Sequence, residues 1–325
     1  MASLYWAIRE NLRMSNMLGN AVYLLQRLRY IWGSEFSRKV ERASEIAEPG
    51  EGVALCVRIR DEALNLREFV EYYLAAGVRH IFFYEALSTD DFRDKLRPFV
   101  DAGVVTLIEN WPHVPVSPAA EHDCVLRCIG SYEWVGFVDV DEFVVIGDNS
   151  SIGEFLAGVP ASAPALAMHW RYYDSNGHLT RPNLPVIAAY CRRNVAPNRH
   201  VKVFVRPGQA VHCRNSHSWY YSGLFSTAVN EKGKRVFGST STPITAEFAW
   251  INHYYHKSEE EFAAKGARVS ILDAVGIRFN SRTPERGQDY EKAANAVEDH
   301  VAILYHRARC RQVDCSICAA VANLS

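Results

Sequence analysis

Apolar residues recur along this chain in two rhythms. Over residues 1–45, Leu4, Ile8 and Leu12, then Leu18, Val22, Leu25 and Leu28, fall at helical spacing, with Gly19 as a break between two helices. The polar side of this lead-in is basic (Arg9, Arg13, Arg27, Arg29, Arg38, Lys39, Arg42), and Tyr5, Trp6, Tyr30 and Trp32 lie beside the charges. That composition suits a helix lying in a membrane interface, and equally a helix packed on the body of the protein. A turn cluster, Glu48-Pro49-Gly50-Glu51-Gly52, closes the segment.

From Val53 the rhythm shortens. Apolar runs over 53–59, 81–84, 104–108 and 134–138 alternate with helical spacing over 64–74, 92–100 and 119–129. Strands that read as continuously apolar, separated by helices, predict a Rossmann-like α/β sheet covered on both faces, with its ligand site at the carboxyl ends of the strands. No GxGxxG follows the first strand, which excludes the familiar nicotinamide or flavin site. Beyond Phe143 the pattern is β-rich, with strands expected over 165–170, 186–192, 201–205 and 248–255 and helices over 257–272 and 284–309. The expected organisation is a helical lead-in (1–47), a body (50–256) whose halves meet at residue 145, and a C-terminal helical segment (257–325).

Composition narrows the class. The 325 residues are 48% hydrophobic, and 36 Lys+Arg nearly cancel 37 Asp+Glu, which excludes a disordered chain, a collagen-like repeat and a generally basic nucleic-acid binder. Aromatic residues reach 12%, enough for a cleft floored by rings or for aromatic-rich cores. Eight cysteines without regular spacing read as reduced thiols of a cytoplasmic protein. Charges interrupt every apolar run before the ~18 residues a membrane span needs, so any membrane contact is expected to be peripheral, through residues 1–45.

The sharpest chemical feature is Trp134-Val135-Gly136-Phe137-Val138-Asp139-Val140-Asp141-Glu142-Phe143, an apolar strand delivering three carboxylates at its end. Clustered carboxylates repel unless a cation relieves them, and Asp139 and Asp141, two apart, can share a strand face around a hard cation such as Mg²⁺ or Mn²⁺. In His200-Val201-Lys202-Val203-Phe204-Val205-Arg206-Pro207, Lys202 and Arg206 fall on one face, suited to a diphosphate or simply to a basic surface. Among the histidines, His212, His217, His253 and His256 are possible metal ligands or bases, each as readily structural. His306, Cys310, Cys315 and Cys318 have an HxxxC-then-CxxC spacing that resembles a zinc site, without a paired scaffold.

In order, CVRIRDEALNLREFVEYYLAAGVRHIFFYE (56–85), the strand ending at Trp111-Pro112, DCVLR (123–127), WVGFVDVDEF (134–143), HW followed by SNGHLTRP (175–182), KVFVRP (202–207) with His217 downstream, and NHYYHKSEEEFAAK (252–265) resemble glycosyltransferase family 92. The chain departs from that pattern at Glu85-Ala86-Leu87-Ser88-Thr89-Asp90 and at Arg171-Tyr172-Tyr173-Asp174. The resemblance implies a GT-A fold, a nucleotide-binding half (50–145) and an acceptor-binding half (146–256). It implies transfer of a sugar, galactose among the options, with inversion, from a nucleotide sugar, typically UDP-linked, to a glycan or lipid-linked acceptor, with Mn²⁺ or Mg²⁺ at the DxD. On this reading Arg58, Asp61, Glu85 and Asp90 contact the nucleoside, while Lys202 and Arg206 neutralise phosphate. Asp141 binds the metal and Asp139 the metal or ribose, with His217 or His253 as third ligand. The catalytic base is expected at Asp174 or His178, with Glu247 and His253 in reserve. A nucleotidyltransferase on the same sheet and a non-catalytic sugar-nucleotide sensor remain as alternatives.

Overall fold

A computed structural model describes residues 34–48, 50–111, 118–223, 225–267 and 296–322. Helix α1 (Glu35–Ile46) begins at Ser34, whose hydroxyl accepts the Ser37 N–H at 3.0 Å. Its Val40 is buried and its Phe36 ring stacks on His122 at 3.8 Å, so the described end of the basic lead-in packs on the body. Residues 1–33, where the rest of that amphipathic pattern falls, lie outside the described residues.

Strands β1 (Val53–Ile59), β2 (His80–Glu85), β3 (Val105–Ile108) and β4 (Trp134–Phe137) alternate with helices α2 (Ala63–Ala75), α3 (Phe92–Asp101) and α4 (Ala119–Cys128). They pair in parallel in the order β3-β2-β1-β4. The side-chain period of two explains the layering. Val53, Leu55 and Val57 share a core with Leu66, Phe69 and Val70 of α2, while Ala54 and Cys56 face Ala120, Cys124 and Cys128 of α4. Both faces are covered, which is why these strands read as unbroken apolar runs.

After β4 the chain forms β5 (Glu142–Ile146), α5 (Ile152–Ala157), β6 (Ala165–Tyr172), α6 (Val186–Ala189), β7 (Arg192–Asn194), β8 (Asn198–Val205), β9 (Ala210–Asn215), β10 (Ser218–Tyr221), β11 (Ala228–Asn230), β12 (Arg235–Val236) and β13 (Ala249–His253). β8 runs antiparallel between β4 and β6 and joins the two halves into one sheet. β13 lies parallel to β6 and antiparallel to β5. This is the mixed α/β sheet flanked by helices expected of a GT-A-type fold. Large rings fill its interior, with Trp134, Trp219, Tyr72, Tyr73 and Tyr254 all buried.

The remaining described elements are α7 (Glu259–Ala267), β14 (Ala296–Glu298), α8 (Val301–Arg309) and α9 (Ser316–Val321). Two expectations are corrected here. The apolar run expected as a strand over 186–192 begins as α6, because the buried Glu68 carboxylate of α2 accepts the Val186 and Ile187 N–H groups at 2.8 and 3.1 Å and so caps a helical turn. The helix expected over 284–309 is helical only from Val301 among its described residues. Ala296–Glu298 pairs instead with β7, and Asp299, accepting the Val301 N–H at 2.9 Å, starts α8. Residues 268–295 lie outside the described residues. Among the described residues, no helix is long and apolar enough to cross a membrane.

Candidate active site

Asp139 and Asp141 of the DxDE segment stand in the turn between β4 and β5, and Glu142 opens β5. Glu142 builds that turn: its N–H donates to the Asp139 carbonyl at 3.0 Å, and its carboxylate folds back to accept the Asp139 N–H at 2.9 Å. Beneath it, the Tyr73 hydroxyl donates to the Glu142 carbonyl at 2.8 Å. Glu142 is fully buried, and burial raises its pKa despite Lys202 at 3.5 Å. It is a strut for the turn, not a third open ligand.

Asp139 and Asp141 were expected to share a strand face. They stand beyond the end of β4 and meet different cations. Half-exposed Asp139 binds Lys202 Nζ at 2.8 Å. Lys202 is fully buried in β8, so the expected pair of outward cations is corrected: this one points inward at the carboxylates. Loss of solvent on its protein-facing side works against the charge of half-exposed Asp139, but Lys202 and then Arg58 more than offset it and hold the carboxyl well below its usual range. Buried Asp141 pairs with Lys265 of α7 and lies 3.7 Å from His253 Nε2 at the end of β13. Its burial is likewise outweighed, by Lys265, His253 and Lys257, and the carboxyl sits at about 2.

Two imidazoles complete this cluster. Burial lowers the His253 pKa to about 3 and that of His217 to about 4, so both are neutral near pH 7. His217 Nδ1 lies 2.9 Å from the Val201 carbonyl, which suits Nδ1–H as the donor and leaves Nε2 with its lone pair. The Trp170 ring packs against both, its centroid 4.5 Å from that of His253 and 5.1 Å from that of His217. Carboxylate oxygens and neutral ring nitrogens suit Mn²⁺ or Mg²⁺ in kind, but in this structure no three of Asp139, Asp141, His217 and His253 bring their ligand atoms within 4.8 Å of one another.

A cleft of about 380 Å³ reaches Asp141 only through Lys265, which lines it and pairs with that carboxylate. Lys265 and Lys257 line it together with Asp61, Asp90 and Arg181. Asp90 accepts the Ala63 N–H at the start of α2 at 2.7 Å, and Asp61, in the left-handed region at φ 51°, accepts the Thr89 N–H at 2.7 Å. Arg58, near the end of β1, lies 3.4 Å from Glu121 and acts on Asp139. Lys257 and Lys265 escaped the sequence reading although both lie within NHYYHKSEEEFAAK. Lys257 is buried at φ 57°, an uncommon backbone state for a lysine, and burial lowers its pKa.

Three expected residues are placed elsewhere. Arg206 sits at the opposite end of the sheet, paired with Glu133 and lying 4.1 Å over the Trp134 ring, because β8 runs antiparallel to β4. Buried Glu85 closes loops, accepting the Ser88 and Asn110 N–H groups at 2.6 and 3.1 Å. Asp174 is 2% exposed, with one oxygen accepting the Asn176 N–H and the other paired with Arg192 at 2.6 Å. A proton acceptor must reach substrate, and this carboxylate instead holds a turn, so the expected base role is corrected. His178 is half-buried with its ring against Tyr190, and Glu247 pairs with Lys232 at 2.6 Å.

The sequence model of glycosyltransferase family 92 matches residues 51–299. The chain belongs to glycosyltransferase family 92. A family 92 protein of Oryza sativa subsp. japonica is 30% identical over 157 residues, covering 48% of this chain and 27% of the relative. One of Arabidopsis thaliana is 24% identical over 278 residues, 82% of this chain and 46% of the relative. The chain thus spans less than half the length of these family 92 relatives. Among solved structures, a Pyrobaculum calidifontis mannosyltransferase in complex with GDP-Man and Mn²⁺ shares 16% identity at a TM-score of 0.30, over 50% of this chain and 46% of its own. A Mycobacterium tuberculosis glucosyl-3-phosphoglycerate synthase in complex with Mn²⁺, UDP-glucose and phosphoglyceric acid shares 14% at 0.33, over 76% and 86%. Likenesses this distant say nothing of donor or acceptor.

Proposed function

We propose that this family 92 chain is a metal-dependent, inverting glycosyltransferase that moves a sugar from a nucleotide diphosphate donor, UDP-linked in this reading, to an acceptor hydroxyl on a glycan or lipid-linked glycan. The observation that carries the proposal is the turn after β4, where Asp139 and Asp141 are kept ionised by Lys202 and Lys265 and neutral imidazoles stand beside them. Asp141, Asp139 and His253 or His217 would hold Mn²⁺ or Mg²⁺, which when bound offsets charge on the departing diphosphate. Lys202, Lys257 and Lys265 gather fixed positive charge at the same place, and dipoles or charges set in advance where charge develops are the strongest catalytic aid a site can offer. Asp61 and Asp90, on the cleft wall, bind the nucleoside end in this reading. His178 takes the acceptor proton in place of Asp174. Residues 1–33 carry the remaining basic, aromatic-flanked pattern through which the protein would rest on an anionic membrane.

Calorimetric titration of UDP and UDP-sugars with and without Mn²⁺ tests this. Asp141→Ala is expected to fold yet lose metal-dependent donor binding, and His178→Ala to keep binding but lose transfer by at least ~100-fold. Wild-type donor affinity in Asp141→Ala sinks the metal assignment. Pyrophosphate released from a nucleoside triphosphate, instead of UDP from a UDP-sugar, would make the chain a nucleotidyltransferase.

A further inference from the structure

Away from the cleft, the last two described helices bring together the four residues whose spacing resembled a zinc site. His306 and Cys310 are one turn apart on α8 and at its end, and Cys315 and Cys318 are one turn apart at the start of α9. The bend between the helices folds the two pairs onto each other, and one nitrogen or sulfur from each lies within 4.8 Å of all the others. Tetrahedral zinc separates its sulfur ligands by about 3.8 Å and nitrogen from sulfur by about 3.5 Å. The present spread closes onto an ion with movements no larger than a rotamer adjustment. His306 Nε2 already stands 3.2 Å from Cys315 Sγ. That spacing makes Nε2 the ligating nitrogen, and Nδ1 faces away from the ion, buried and without a hydrogen-bond partner among the described residues.

We propose that His306, Cys310, Cys315 and Cys318 bind one structural Zn²⁺. Three thiolates and one imidazole give a closed Cys₃His set with no open position, the signature of a structural and not a catalytic ion. Bound as thiolates, they leave the site with one net negative charge, and Arg307 in the last turn of α8 is the cation that acts on the Cys318 thiol. The surroundings fix the ligands from behind. His306 stacks on Tyr72 of α2 at 5.7 Å, and Glu71 of α2 accepts the Ser316 N–H at 2.8 Å next to Cys315. An ion here would pin α8 and α9 to α2, whose far end borders the cleft at Ala63.

Full-length protein purified without chelators from zinc-supplemented cells is expected to contain one Zn²⁺ per chain by elemental analysis. Replacing it with Co²⁺ is expected to produce thiolate-to-cobalt charge transfer together with the intense visible bands of tetrahedral coordination. Cys315→Ser/Cys318→Ser should lose the ion, whereas Asp141→Asn should keep it. Should the cysteine variant fail to fold, the wild-type cobalt spectrum still decides, because an ion on Asp139 and Asp141 has no thiolate ligand to give that band. Zinc-free protein with no such band, a chain two hydrogens lighter through a disulfide among these cysteines, or zinc lost in Asp141→Asn would each overturn the proposal.

Discussion

At the scale of single residues, the site is a balance of buried charges, and Asp141 is its clearest member. Burial disfavours its charge, yet Lys265, His253 and Lys257 hold the carboxyl at about 2, against ~3.9 for an aspartate in an unfolded chain. A carboxylate depressed in the folded state adds stability above its unfolded pKa and loses it as the pH falls through the folded one. The contribution is therefore complete near neutrality and disappears between about pH 4 and pH 2, an effect of roughly 2–3 kcal/mol. Glu142 works in the opposite direction, since its raised pKa means that acidification relieves a buried charge. Asp141→Asn isolates the first effect: in urea unfolding with chelator present, the variant should lose less stability than wild type on going from pH 5 to pH 3. Parallel curves would mean that the lysines add nothing a solvated carboxylate lacks. The DxD pair was legible in the sequence because carboxylates abutting an apolar strand are conspicuous. Lys265 was not, since nothing local to residues 257–265 says that α7 returns more than a hundred residues of chain to Asp141. Asp174 misled for a related reason: beside Ser175-Asn176-Gly177 it looks like a presented side chain, and only the pairing with Arg192 of β7 shows it turned inward.

At the scale of elements, β4 carries the turn, and its position depends on a close approach at Gly136. A Cβ there would lie 2.4 Å from the Phe204 ring of β8 and 2.8 Å from Leu55 of β1, so the strands on either side admit no side chain. Gly136→Ala is expected to destabilise the protein by about 1–3 kcal/mol, the usual cost of overpacking a filled core, and to weaken donor binding by shifting the turn. Denaturant midpoints and donor titration check both, and a neutral effect would show that Phe204 swings aside at little cost. The parallel half of the sheet was readable because β1, β2 and β4 are buried on both faces, with β3 half-buried at the edge, and its helices are long enough for a period of 3.6 to show. Shorter elements were not. β5 begins with Glu142, a charge that breaks the apolar run, and α6 is a four-residue piece whose Val186-Ile187 suggests strand until the Glu68 cap is known. β14 is three residues long, and its alternation is too brief to distinguish from a helix.

At the scale of the whole molecule, the expected C-terminal addition is continuous with the body. Ala302, Ile303 and Tyr305 of α8 and Ile317 and Val321 of α9 are buried in the same core as β1, α2 and β5. Asp299, just before α8, pairs with Arg193 of β7, and the Tyr305 hydroxyl donates to the Ser150 carbonyl at 3.0 Å. Fully buried apolar side chains contribute roughly 1.5–3 kcal/mol each, so this group approaches the 5–15 kcal/mol by which a whole domain is stable. Removing the segment also removes the entropy cost of ordering it, which leaves a net loss of a few kcal/mol, still a large share of that margin. A chain ending at residue 295 also uncovers Tyr72, which packs against Tyr305 and His306, and the core around it, an apolar surface that invites association. That chain is expected to unfold at a much lower urea concentration than the full chain, with a broadened transition, and to associate in sedimentation analysis. A monomer with the wild-type midpoint would instead mark residues 296–325 as a separable addition, and would place all the stability of the Asp139–Asp141 turn within the sheet itself.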